Sequence, residues 1–147
     1  MTSLLDTNEQ TVGIVLYYTE RQSVTGYVKF IVLDEKKAKD MLADPQKKDR
    51  VHCLNTVWKV MSWKDDNEIV KQSTYFNVNS SMNDLDPFKY RDLRIKQCIR
   101  SWDMKDDKGN AIQFRPELID KMPSDIVHAL IAKYDSAMTI DEEEEKK

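Results

Sequence analysis

Glycine, proline, cysteine and histidine are all scarce: three, four, two and two residues in a chain of 147. So few glycines leave no phosphate-cradling loop, and neither a His-Glu-x-x-His pair nor a nucleophile elbow occurs. Two cysteines, Cys53 and Cys98, are too few for a disulfide framework. A zinc site would need both of them together with His52 and His128. The plainer expectation is two reduced, mostly buried thiols. No run approaches the roughly 18 to 20 apolar residues of a membrane span. The start Met1-Thr2-Ser3-Leu4-Leu5-Asp6 lacks the basic opening of a secretion signal. The expectation is a chain made inside the cell, with no membrane partner.

Surplus charge is also missing from most of the chain. Residues 1–140 balance 21 basic against 21 acidic groups, and the net charge of −3 falls wholly in Asp141–Lys147. A neutral body gives no global reason to hold nucleic acid, so a nucleic-acid partner is not expected. The acidic end, 141–147, is expected to be a disordered solvated tail, with shielding of a basic surface as its alternative role.

What remains is an ordinary globular composition, 40 % hydrophobic and 33 % charged, of a length suited to one domain. The first ten residues are unpatterned and expected to be loose. Thr11–Thr19 is β-branched and aromatic and predicts a strand. Glu20–Ser23 predicts a turn and Val24–Leu33 a second strand, with Lys29 facing solvent and a bend at Gly26. Asp34 caps a predicted helix to Ala43, with Ala38, Met41 and Leu42 on one face, stopped at Asp44-Pro45. Residues 57–78 predict a β-ribbon turning near Asp66-Asn67, followed by a loop over 79–84. Asp86-Pro87 predicts a helix start. Leu85, Phe88, Ile95, Ile99 and Trp102 recur at helical spacing, although Arg94–Met104 also reads as a strand. Arg91, Arg94, Lys96 and Arg100 then form the polar side of an amphipathic helix rather than a phosphate-binding stripe. A Lys108-Gly109-Asn110 turn follows, then a short helix from Arg115, and the clearest helix begins at Ser124. The fold class predicted is α+β: one domain over 1–140 with an antiparallel sheet, from 11–33 and 57–78, packed against C-terminal helices.

No residue set predicts catalysis. The acidic groups Asp65-Asp66 and Asp103…Asp106-Asp107 lack the offsets of a calcium loop and read as plain turns. Neither an enzyme activity, a metal nor a cofactor is expected. Binding of other proteins is, with Trp58, Trp63, Ile126, Leu130 and Tyr134 as candidate protein-binding residues, because large apolar side chains carry interfaces. Half or more of these five are expected to fill the core instead.

Ile99-Arg-Ser-Trp102, the acidic turn through Asp107 and Gly109-Asn110, then Pro116, Leu118, Met122-Pro123 and the helix to Tyr134 form an ordered string. This string resembles a segment of small tail-assembly proteins of tailed bacteriophages. Here Met122 stands where leucine is usual, and Phe114 and Arg115 where proline or threonine is more usual. The resemblance implies a non-catalytic tail-assembly chaperone that keeps tape-measure or tail-tube protein soluble in the host cell cytoplasm. Its rival is a structural virion protein of the neck, tail-completion or tail region that forms a ring or tube. The implied partners are phage tail proteins, and the rival adds copies of the chain itself as a homo-oligomer.

Overall fold

A computed structural model describes residues 4–5 and 9–139. The expectations for the first residues fall partly, and those for the acidic tail wholly, outside that range. Thr11–Gln22 forms β1 and Val28–Leu33 forms β2, paired antiparallel from Tyr17↔Leu33 to Gln22↔Val28. The turn lies later than predicted, at 23–27, where the Ser23 N–H donates to the Tyr27 carbonyl and Gly26 takes φ 97°. Only glycine adopts that backbone without strain. β1 also pairs with β3, His52–Lys59, and β3 with β6, Ile99–Trp102, giving the antiparallel order β2-β1-β3-β6.

Period-two alternation decides which side of this sheet is buried. Ile14 and Leu16 on β1 and Leu54, Thr56 and Trp58 on β3 point inward; Val15, Asn55 and Val57 point out. The inner face is covered by α3, Pro87–Cys98, and α4, Ser124–Met138, through Ile95, Cys98, Ile126, Leu130, Ile131 and Tyr134. Trp58 is the centre of this core. It is wholly buried, its ring stacks on Tyr134 at 4.6 Å, and its indole N–H donates to Thr56 Oγ1 at 2.7 Å. The Thr56 hydroxyl in turn donates to the Ile14 carbonyl, so burying the indole leaves no donor unpaired.

The outer face carries one helix at one end, α1, Glu35–Leu42. Asp34 caps it by accepting from the Lys37 N–H at 2.7 Å, as its sequence predicts. Ala38 is its buried contact and Met41 is half-buried, while Leu42 is exposed. The chain is therefore an α+β single domain whose antiparallel sheet packs against C-terminal helices, as predicted.

Two elements differ from expectation. The predicted ribbon over 57–78 is instead the end of β3 followed by α2, Trp63–Ser73. Asp65 and Asp66 close no turn; they sit in the first turn of a helix, where acidic groups meet the positive end of the backbone dipole. The predicted loop over 79–84 contains a strand, β5, Met82–Leu85, paired with β4, Thr74–Asn77. The two readings of 85–104 each hold for a part: α3 runs to Cys98 and β6 begins at Ile99.

A capping box starts α2. Ser62 Oγ accepts from the Asp65 N–H at 3.2 Å, and Asp65 accepts from the Ser62 N–H at 3.0 Å. Asp65 also meets Lys59 at 3.0 Å. The Ser62 backbone bond, foremost, holds the Asp65 carboxyl below its ordinary range. Asp65→Ala is expected to cost about 1 kcal/mol at pH 7. Because the folded pKa is depressed, that contribution is complete above the ordinary carboxylate value near about 3.9 and disappears as pH falls through the folded one. Urea midpoints of the two proteins should converge below about pH 4; a gap independent of pH would remove the ionised cap from the account.

Candidate protein-binding surface

Between β3 and β6 the chain leaves the sheet for nearly forty residues and returns beside its point of departure. It goes out along α2, turns through β4 and β5, and comes back along α3. The helical pair is tied by Tyr90, whose hydroxyl donates to Asp66 Oδ1 at 2.6 Å, and by the buried Ile69. Ser73 and Thr74 end α2 by donating their hydroxyls back to the Ile69 and Val70 carbonyls, both at 2.7 Å. Asp86 begins α3 by accepting from the Phe88 and Lys89 N–H groups, with Pro87 in the first turn. Where the two helices meet the hairpin, the Asp86 N–H donates to the Ser73 carbonyl at 2.8 Å.

The hairpin itself is exposed on both faces. Its register pairs Thr74 with Leu85, Tyr75 with Asp84, Phe76 with Asn83 and Asn77 with Met82. Directly opposed residues share a face, so Phe76 and Leu85 lie on one side and Tyr75 and Met82 on the other. Phe76 is 61 %, Met82 64 % and Val78 80 % exposed, and Phe88 just beyond is 70 % exposed. Asn77 stiffens the tip: its side-chain oxygen accepts from the Asn79 N–H at 3.0 Å while its amide donates to Asp84 at 2.8 Å. Ser81 there holds φ 55°, the left-handed region. Beyond each other, β4 and β5 touch the remaining elements little. A two-stranded ribbon is marginal alone and has two open edges, so this arm presents apolar side chains and unpaired backbone together.

Of the five nominated residues, Trp58, Ile126, Leu130 and Tyr134 lie in the core, at most 4 % exposed. Trp63 alone is on the surface, at the start of α2. An 11-residue helix is about 16 Å long, which puts Trp63 at the root of the arm rather than its tip. Sequence reasoning passed over Phe76, Val78, Met82 and Phe88. Their signal was a cluster of large apolar residues beside Asn79-Ser-Ser, where a loop was expected.

The 99–134 string runs through β6, the turn at Gly109, a short 3-10 helix and most of α4. Trp102 donates its indole N–H to the Ile112 carbonyl at 2.6 Å and meets Phe114 edge-on at 4.9 Å. Asp103 takes both the Asn55 N–H and its side-chain amide, at 2.8 and 2.6 Å. Asp106 accepts from the Lys108 and Asn110 N–H groups and so closes the turn at Gly109, φ 81°. The predicted short helix is a 3-10 helix, Pro116–Lys121, with Ile119 in the core.

Cys98 is buried as expected, but Cys53 is exposed, because its position on β3 has outward parity. Burial pushes the Cys98 thiol up from its ordinary range, and partial desolvation together with the Asp103 carboxylate pushes Cys53 up as well. Among the described residues no group of three or more His, Cys, Asp or Glu is placed to hold a metal ion. No described helix is long and apolar enough to cross a membrane. No family model matches the chain, and comparison with curated proteins and with solved structures gives no match.

Proposed function

We propose that this protein is a non-catalytic tail-assembly chaperone, of the kind its 99–134 segment resembles, acting in the host cytoplasm. In this reading the β4–β5 arm holds an apolar segment of a tape-measure or tail-tube protein. The observation that carries it is the hairpin with apolar side chains exposed on both faces, standing apart from the four-stranded sheet. Apolar area left out on a projecting arm marks a binding surface, and open strand edges add backbone hydrogen bonds to any extended segment laid beside them. The buried inner face and the capped helices leave the rest of the molecule as a stable mount.

The structural virion reading draws on a separate observation. β2 pairs only with the Tyr17–Gln22 half of β1, so among the described residues the Thr11–Leu16 half has no strand on that side. A neighbouring copy in a ring has an edge there to extend. Mass spectrometry of purified particles beside infected-cell lysate separates the two. The chaperone reading expects the chain bound to a tail-protein precursor in lysate and missing from particles. A fixed number of copies in every mature particle would overturn it in favour of the structural role.

A further inference from the structure

The outer face of the sheet holds a second feature, unrelated to the arm. Arg21 on β1, Lys37 on α1, and Lys47 and Arg50 on the connection after α1 converge on one groove. None of the four forms an ion pair among the described residues. Two carboxylates stand in the same wall, Asp40 and Asp44, the latter occupied by the Gln46 N–H at 2.9 Å. Ile31 and Met41 give the groove an apolar floor. Four exposed cations with no ion-pair partner among the described residues make this groove a local positive patch that suits an anionic ligand. Against Asp40 and Asp44 the four cations leave a surplus of two positive charges over a short groove, which suits a short anionic segment better than a long continuous phosphate backbone.

The chain's own sequence contains such a ligand, Asp141 to Glu145. α4 ends at Met138, and its Lys133 and Ser136 line a cleft with Glu35 and Tyr17. Lys37 follows Glu35 by two residues, and Thr19 and Arg21 continue the outward positions of β1 beyond Tyr17. From Tyr17 to Arg21 is about 13 Å along the strand. The six residues from Ile140 to Glu145 span up to about 21 Å when extended. Asp141 to Glu145 supply five consecutive carboxylates within that reach. We infer that the groove is a binding site for an acidic polypeptide segment, and that Asp141–Glu145 of the same chain is its occupant. A tethered ligand of this kind meets the groove at millimolar effective concentration, so any acidic segment from outside must compete with it.

The test uses the full-length protein beside a full-length variant carrying Asp141→Asn, Glu142→Gln, Glu143→Gln, Glu144→Gln and Glu145→Gln. Backbone amide signals of Arg21, Lys37, Lys47 and Arg50 should shift between the two in NMR spectra. A fluorescent Asp-Glu-Glu-Glu-Glu peptide should bind the neutralised variant about tenfold more tightly than the native chain. Lys37→Glu with Arg50→Glu, checked for an unchanged thermal midpoint, should abolish peptide binding in either background. Signal changes confined to α4 and the substituted residues would overturn the assignment. So would tighter binding of a DNA duplex than of the peptide to the neutralised variant at about 0.15 M salt, which would give the groove to nucleic acid. Neither result bears on the arm, so this site and the chaperone reading stand or fall separately.

Discussion

Trp58→Ala should leave the protein unfolded or close to it. The side chain is wholly buried in the cluster formed by β1, α3 and α4, and its removal opens a cavity in the middle of the core on this side of the sheet. Large aromatic truncations of this kind cost about 3–5 kcal/mol, against a total near 5–15 kcal/mol for a domain. The loss here includes the stack on Tyr134, whose hydroxyl donates to the Lys59 carbonyl at 3.0 Å and so pins α4 to the end of β3. Trp58→Phe is the informative companion. It keeps most of the apolar volume but removes the indole donor, so the Thr56 hydroxyl still donates to the Ile14 carbonyl but no longer accepts a hydrogen bond. That change should cost about 1–2 kcal/mol. Urea unfolding followed by circular dichroism reads both values, and an alanine variant with an unmoved midpoint would refute the placement of Trp58. The result also guards the binding work, since substitutions at Trp58, Ile126, Leu130 or Tyr134 imitate a binding defect by unfolding the mount.

The arm gives the opposite pattern, a large effect on binding with folding intact. Phe76→Ser combined with Met82→Ser removes one exposed apolar side chain from each face of the hairpin. Hot-spot residues contribute about 2 kcal/mol or more each, so the pair should weaken binding of the proposed tape-measure or tail-tube partner about 1,000-fold. Neither side chain is buried in the free protein, and the thermal midpoint should reflect a change within about 0.5 kcal/mol. The single variants identify the covered face: a loss in Phe76→Ser alone points to the Leu85 side, in Met82→Ser alone to the Tyr75 side. Val57→Thr, at an exposed position on the outer face of the sheet, serves as the control that should bind normally. Titration calorimetry with co-expressed partner measures all four. Unchanged affinity in the double variant would remove the arm from the proposed function.

Local signals with a single physical meaning were readable from the chain. Asp34 before an amphipathic run and Asp86-Pro87 before another both mark true helix starts, because a carboxylate cap and a proline in the first turn act through the backbone alone. Gly109 with Asn110 likewise marks a true turn. The helix over Trp63–Ser73 was hidden by composition. Val57, Trp58 and Val60 before it favour a strand, and Asp65-Asp66-Asn67 favour a turn, yet Ser62 and Asp65 at capping-box spacing were the better guide. β5 could not be read from Met82-Asn-Asp-Leu, which has little strand preference; its pairing with β4 makes it a strand. Trp58 was separable from Trp63 in principle. Leu54, Thr56 and Trp58 alternate with Asn55 and Val57 on a strand one face of which is buried, whereas Trp63 follows the cap of a helix. The exposed faces of the hairpin depend on what fails to pack against them, and no local pattern encodes that.

The hydrogen bond from the Asp86 N–H to the Ser73 carbonyl has a bearing on how such a protein diversifies. Residues 74–85 enter and leave the helical pair through that one closure, so their length and sequence are decoupled from the path of α2 and α3. The hairpin is a cassette. Lineages that must follow a changing partner can exchange it whole, keeping the caps at Ser62 and Asp86 and every residue of the core. Changes at the tip would then alter recognition without touching the sheet or α4, and two chains with unrelated hairpins could share one mount.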